Sequence, residues 1–567
     1  MISKPFEPIV NLEIGQIIEV DGTHLIAELN PQIKELSRVY GGETYQIGQF
    51  GSIIKIHRGR KVLYAYVGRL RMKSEYEKEL GYTAQSPEDG RVVEADLFGE
   101  GEWLRVENDH GEEAWILKFE RGVSNFPLPT QKIYLTPSYE LRQIYGSGQD
   151  SCIMLGEHVG SAGTPCFADI NELIGKHTAI LGSTGSGKSG TVAAILHSII
   201  NFGVERKLEK WNPQIIILDP HDEYSKAFSS KSTYSTDNGT LKLPYWLLTY
   251  NETLNLILGK TQFVATSQAN IVKKALWEFR CKGSEKIGID KSKITIDSPI
   301  PYSFDGFIKS IEAERNTLTP SKQDSHNSIL DKIENLLNDG RLRFLFEEWD
   351  GTSDPLLSIA RQFIESQKPI KIIDLSGVPN EIAGICSAVI ARTLFNFKVW
   401  EKPEERQNNP LLLVCEEAHR YVPNKGEAQY EAAQDAIRRI AKEGRKYGLG
   451  LFLVSQRPSE VETTVLSQCN SWIVLRLTND SDREQVKSIL PDSLSGLTKV
   501  LSGLRRREAL FVGQAAMLPS RILIKKLGEA QLPKSADISY EKGWSSDVPS
   551  DEMIVEIAKR WRCQTRN

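Results

Sequence analysis

The chain has 567 residues, 40% of them hydrophobic and 25% charged, with a formal net charge of −4 at pH 7. That length exceeds what one hydrophobic core fills, so roughly two to four domains of an ordinary soluble globular protein are expected. The charge offers no whole-surface attraction for nucleic acid, so any grip on a strand has to be local.

No apolar run is long enough to span a bilayer, and Met1–Pro8 lacks the charged-then-apolar layout of a signal peptide, so a cytoplasmic protein with no membrane contact is expected. Seven cysteines, at 152, 166, 281, 386, 415, 469 and 563, are scattered without a C-x-x-C pair. Neither a zinc site nor a disulfide frame is indicated.

Residues 1–150 hold short β-type runs such as Gln16–Val20, Ser52–Ile56, Val62–Val67, Arg91–Leu97 and Lys132–Leu135, broken by Gly, Asp and Asn. The spacing predicts a small β-barrel or sandwich with an assembly or docking role.

From 151 to 225 the pattern becomes strand, loop, helix, strand. The apolar run Thr178–Leu181 leads into Gly182-Ser183-Thr184-Gly185-Ser186-Gly187-Lys188-Ser189, which fits G-x-x-x-x-G-K-[ST], and Gly190 and the apolar Thr191–Leu196 follow. Glycines let successive backbone N–H groups curl round an anion at a helix N-terminus, so residues 182–190 are candidate nucleotide-binding positions. Lys188 reaches the β- and γ-phosphates in this reading, and the Ser189 hydroxyl takes one Mg²⁺ position. The next strand, Ile215–Asp219, runs into Pro220-His221-Asp222-Glu223-Tyr224. Asp219 and Glu223 are either near the nucleotide or part of a capped acidic turn.

Residues 226–365 read as a mostly helical insertion, with a buried stripe in stretches such as Asn327–Leu337. The sheet resumes over 366–527 with Ile370–Leu375 and a packed helix through Val389–Phe395. The fully apolar Pro410–Cys415 then ends in Glu416-Glu417, a Walker B pattern. Two carboxylates at a strand end can divide the work: Glu416 bonds the metal and Glu417 polarises the attacking water. In the helix that follows, Ala433, Ile437, Ile440 and Ala441 share one face and Arg438, Arg439 and Lys442 another. Gln456, after the strand Leu449–Ser455, is placed to sense the γ-phosphate. Two more strands, Ser471–Leu477 and Ala509–Gly513, flank Arg505-Arg506-Arg507, which is either a solvated turn or a contact for nucleic acid or a neighbour's nucleotide. The tail, 528–567, is polar with isolated Tyr540, Trp544 and Trp561, and reads as a strap that docks on a neighbouring surface.

The ordered set of motifs resembles the HerA family of hexameric DNA translocases, relatives of FtsK. It comprises His177–Ser189, Asp219–Tyr224, Glu416–His419, Glu443–Gly448, Ser455–Pro458, Leu466–Asn470 and Leu475–Asn479. The resemblance implies an α/β fold with a RecA-like ATPase core, the family's N-terminal HAS-barrel and a homo-hexameric ring. ATP hydrolysis with Mg²⁺ at subunit interfaces would drive double-stranded DNA through the pore. It also implies a basic residue acting on the neighbour's nucleotide, with Arg445 the best-matched position, Arg476 and Arg439 behind it, and Lys176 where some relatives carry a second such residue. Family members work with a partner enzyme, a nuclease or, in anti-phage systems, a sirtuin-type NAD-consuming enzyme. The alternative is an ATP-regulated ring scaffold that activates such an effector with little translocation. Two positions depart from the family pattern: Asp222, often Gly there, and the basic Arg505-Arg506-Arg507.

Overall fold

The computed structural model describes residues 5–49, 51–82, 90–107, 113–145, 151–159, 164–236, 239–259, 266–364, 368–378, 380–424, 431–490, 498, 500–534, 539–546 and 548–563. The chain divides into two compact units. One is Met1–Leu173 with Gly182–Gly187 and Ser471–Lys526; the other is Ile174–Leu181 with Lys188–Asn470 and Leu527–Asn567.

The first unit opens with β1 (Glu13–Asp21), β2 (His24–Leu29), β3 (Ser37–Tyr40), β4 (Glu43–Gln46), β5 (Ile53–Arg58), β6 (Lys61–Met72), β7 (Arg91–Glu107), β8 (Glu113–Arg121) and β9 (Lys132–Leu135). Pairing runs β2-β1-β9-β5-β6-β7, and a further β2–β7 pairing closes these six strands into a barrel, with β8 added on β7. Alternation explains the closure. Ile54 and Ile56 on β5, Leu63, Ala65 and Val67 on β6, and Val93, Ala95 and Leu97 on β7 all enter one buried cluster, as period two requires. The six closed strands present no edge to another chain, whereas β8, paired among the described residues on β7 alone, does.

The opposite parity of β6 is buried too. Val62, Tyr64 and Tyr66 pack with Trp103, Leu117 and the helix Ser138–Tyr145. Lys55 shares that outward parity on β5. Its ammonium meets Glu140 of this helix at 2.5 Å, and the Tyr64 hydroxyl donates to the other Glu140 oxygen. Lys55 is 1% and Glu140 0% exposed, so each charge depends on the other for its solvation. Two antiparallel strands follow, β10 (Cys152–His158) and β11 (Pro165–Asp169).

The second unit is built on a parallel sheet of β12 (Thr178–Leu181), β13 (Gln214–Asp219), β14 (Lys231–Ser235), β15 (Ile370–Asp374), β16 (Leu411–Cys415) and β17 (Leu449–Ser455), in the order β12-β17-β16-β13-β15-β14. Every pairing is parallel. Strands β12, β13, β16 and β17 are buried along their whole length, as their unbroken apolar runs require. All six carboxyl ends therefore share one rim, where sheets of this kind bind ligands.

Strand β14 lies inside the stretch read from sequence as mostly helical. Its residues, Lys-Ser-Thr-Tyr-Ser, carry no apolar run, because it is a half-buried edge strand. The helices Tyr250–Leu258, Thr266–Lys286, Phe304–Asn316, Asp324–Asn338 and Leu356–Ile364 follow it. Arg392, on the helix Asn380–Trp400, fixes this insertion by bonding both Glu252 oxygens at 2.9 and 2.8 Å and the Leu247 carbonyl at 2.8 Å.

The chain then returns to the first unit with β18 (Ser471–Leu475), β19 (Glu508–Gly513) and β20 (Ser520–Ile524), giving the antiparallel order β11-β10-β20-β19-β18. The expected fold class, a RecA-like α/β core with an N-terminal β-barrel and a helical insertion, is the one observed. Among the described residues no helix is long and apolar enough to cross a membrane.

Two histidines of the first unit are held neutral. Burial, aided by the nearby Lys55 charge, lowers His57 from 6.5 to about 4, and burial lowers His158, stacked on Tyr145 with ring centroids 3.6 Å apart, to about 3. The unfolded chain takes up these protons below about 6.5 while the folded chain refuses them. Their contribution is therefore complete above pH 6.5 and falls as pH drops toward 4 and below. Urea midpoints of the first unit should decline between pH 7 and pH 4.5, and His158→Phe should flatten that decline. An unchanged slope in the variant would place the acid lability elsewhere.

Candidate nucleotide site

The phosphate loop begins where β12 ends. Gly185 and Gly187 have φ of +75° and +97°, the left-handed region that a side chain resists, and Ser186 N–H donates to the Ser183 carbonyl at 3.1 Å. Ser183 N–H in turn donates to the Arg476 carbonyl at 2.9 Å, and Arg507 N–H to the Ser186 carbonyl at 3.1 Å. The Arg505–Arg507 turn is thus a prop behind the loop, with the Arg505 guanidinium bound to Glu508 at 2.8 Å. Thr184 and Gly185 are exposed, and Ser186 is buried with its hydroxyl lacking a hydrogen-bond partner among the described residues. Lys188, Ser189 and Gly190 open the helix Lys188–Glu205, whose first N–H groups have no partner within the helix.

The carboxyl rim of the parallel sheet supplies the rest. Lys188 Nζ lies 2.5 Å from Glu416 Oε1 and 3.4 Å from Glu417 Oε1, with Lys188 8%, Glu416 0% and Glu417 5% exposed. Adjacent residues on a strand point to opposite faces, so two neighbouring glutamates converge only if the backbone turns between them. It does: Glu416 N–H still joins the ladder at the Leu218 carbonyl, while Glu417 sits at φ +53°, ψ +50°. A non-glycine residue held in that region marks a position fixed by its surroundings.

Burial works against the Lys188 charge, but the charges of Glu416 and Glu417 outweigh it, so the ammonium holds its proton more tightly than usual. Glu416 Oε2 accepts from the Tyr224 hydroxyl at 2.8 Å. Glu417 Oε2 is buried with no hydrogen-bond partner among the described residues, and His419 Nδ1 stands 3.3 Å away. Burial lowers the His419 pKa against the pull of Glu417, and the same ring nitrogen lies 3.2 Å from Ser455 Oγ at the end of β17. Gln456, half-buried, follows on the same rim.

Asp219 ends β13 and binds its own loop, accepting from His221 N–H at 3.2 Å and Tyr224 N–H at 2.9 Å. Burial still raises its pKa from 3.8 to about 7. Of the two sequence readings of Asp219, these bonds are those of the capped turn. Asp222 has φ +54°, which accounts for glycine being at home there, and its carboxylate is held by Lys534 at 2.6 Å.

The four basic positions separate. Arg445, in the turn Gly444–Tyr447 before β17, is exposed at the amino-terminal rim, about 20 Å of strand from Gln456. Lys176, just before β12, shares that rim, its carbonyl accepting from Asn470 N–H at 3.1 Å. Arg439 lies over the Phe395 ring at 4.6 Å and 3.7 Å from Glu443. Arg476 stands beside its own chain's phosphate loop, with a buried Nε that has no hydrogen-bond partner among the described residues. Sequence reasoning gave no role to Tyr224 or His419. Both fall inside motifs it singled out, but their hydrogen bonds exist only in the folded chain.

The donors suit a magnesium nucleotide. Mg²⁺ takes one or two protein oxygens and completes its shell with phosphate and water, and Ser189 and Glu416 are such hard donors. No group of three or more His, Cys, Asp or Glu able to form an all-protein cage occurs among the described residues. A Cβ on Gly182 would sit 2.6 Å from Ser186 Oγ and 2.8 Å from Leu475 Cβ. Gly182→Ala should strain the loop by about 1–3 kcal/mol, weakening nucleotide binding roughly five- to hundredfold in calorimetry while the circular dichroism of the chain stays unchanged. Wild-type affinity in this variant would show that the loop has room to spare.

Residues 153–394 match the family model described as "Helicase HerA, central domain". A probable helicase of Methanocaldococcus jannaschii is 29% identical over 420 residues, covering 70% of this chain and 74% of that protein. A probable DNA double-strand break repair helicase HerA of the same organism is 27% identical over 437 residues, covering 70% and 81%. The solved structure of VirB4 from Thermoanaerobacter pseudethanolicus aligns with a TM-score of 0.48 at 17% identity, over 68% of this chain and 98% of that one. With its phosphate loop, paired glutamates and parallel core in place, the chain is similar to HerA-type helicases, most directly over the central domain at residues 153–394.

Proposed function

We propose that this chain is an ATP-hydrolysing motor on double-stranded DNA, working as a homo-hexameric ring with an effector enzyme, either a nuclease or a sirtuin-type NAD-consuming enzyme. The observation that supports it most is the meeting of Lys188 with Glu416 and Glu417, more than two hundred residues apart, in one buried site. The names of its relatives, helicases and a DNA double-strand break repair helicase, support DNA as the track.

In this reading Lys188 exchanges its two glutamates for β- and γ-phosphate oxygens, while backbone N–H groups at the start of the helix Lys188–Glu205 close on the anion. Ser189 and Glu416 would hold Mg²⁺, which would supply neutralisation of the charge on the phosphates. Glu417 orients and polarises the attacking water with the oxygen that has no hydrogen-bond partner among the described residues, and His419 steadies that carboxylate. Gln456 senses the γ-phosphate. Arg445, on the far rim from its own site, serves the neighbouring copy, a contribution of about 10³-fold or more in rate. Lys176 shares its rim, whereas Arg439 is engaged with Phe395 and Glu443, and Arg476 stands beside its own chain's phosphate loop, so both suit the role less well.

ATP turnover with and without duplex DNA and candidate effectors tests this. Lys188→Ala and Glu417→Gln should each lower hydrolysis by about 10²-fold or more, and Glu417→Gln should still bind ATP. Full turnover in Glu417→Gln would remove it from the chemistry. Arg445→Ala should be inactive alone yet support turnover when mixed with Lys188→Ala subunits; full activity alone would exclude it as the shared arginine. Stimulation by an effector but not by DNA would replace the motor with an ATP-gated scaffold.

A further inference from the structure

The two oxygens of Glu416 have separate engagements. Oε1 meets Lys188, and Oε2 accepts from Tyr224, whose side chain is fully buried. A glutamate carboxylate turns about three single bonds, so an anchor on one oxygen decides where the other points once Lys188 leaves it for phosphate. Outer partners of this sort orient the groups that touch a metal.

The anchor depends on its loop. Asp219 binds the loop at its start, through the N–H groups of His221 and Tyr224. Lys534 binds it from outside, donating its N–H to the Glu223 carbonyl at 2.7 Å and its ammonium to Asp222. That ion pair lies where the backbone is left-handed, so it holds a conformation that aspartate adopts at a cost. Lys534 belongs to the C-terminal arm. Beyond it lie the helices Tyr540–Trp544 and Asp551–Cys563, with Met553, Ile554, Val555 and Ile557 exposed.

We propose that Tyr224 is a positioning residue for Glu416, and that Lys534 sets the loop carrying it, so that the C-terminal arm tunes how readily the site takes a magnesium nucleotide. The proposal rests on the nucleotide site argued above. A non-hydrolysable ATP analogue, titrated onto the full chain with and without Mg²⁺, tests it. Tyr224→Phe keeps the ring and removes the donor. Its half-saturating Mg²⁺ should rise about tenfold or more, while analogue binding in EDTA and the melting temperature stay at wild-type values. Lys534→Met should shift the Mg²⁺ midpoint in the same direction.

In a Glu416→Gln background, Tyr224→Phe should add nothing further to the midpoint. An unshifted midpoint in Tyr224→Phe, or equal losses with and without Mg²⁺, would overturn the positioning role. A further loss in the Glu416→Gln background would do the same. An unshifted midpoint in Lys534→Met would overturn the link to the arm. Failure of the wild-type chain to bind the analogue at all would instead overturn the nucleotide site itself.

Discussion

The second unit turns on one ammonium between two carboxylates. Lys188, Glu416 and Glu417 are each less than a tenth exposed, and no one of these charges is tolerable there alone. Lys188 comes from the helix after β12 and the glutamates from the end of β16, so their contact joins segments that are far apart in the chain. An anion that captures Lys188 leaves two glutamates without their counter-charge, so binding of phosphate and of a cation at this site are electrostatically linked.

A second buried pair does comparable work in the first unit. Lys55 points away from the barrel interior into a layer covered by the helix Ser138–Tyr145, and Glu140 of that helix is its partner. Because an apolar pair of similar volume would often be as stable, the contribution of such a pair is directional: it allows the helix one seat on the barrel. Arg392 with Glu252 holds the helical insertion in a like manner.

What could be read in the sequence was whatever local chemistry imposes. The phosphate loop was legible because glycine takes φ of +75° and +97° without the strain a side chain would bring, and the buried parallel strands because both faces must be apolar. The alternation of β5, β6 and β7 declared a barrel or sandwich, but closure needed the pairing of β2 with β7, which no local pattern carries. β14 went unread because a half-buried edge strand asks little of its side chains. Tyr224 was invisible as a partner of Glu416 since 192 residues separate them. The triple arginine read equally as a solvated turn or as a ligand contact; in the fold Arg505 binds Glu508 and the Arg507 backbone N–H props Ser186.

The parallel sheet of the second unit has unlike rims. Glu416, Glu417 and Gln456 follow the carboxyl ends of its strands, and Lys176 and Arg445 precede the amino ends. If copies share one nucleotide between these rims, as proposed, they must join head to tail, since a twofold pairing would set like against like. In a head-to-tail series every interface is the same and each leaves one rim unsatisfied at either end. Whether such a series shuts into a circle or lengthens without limit is then decided by the angle between successive copies, not by the residues that perform the chemistry.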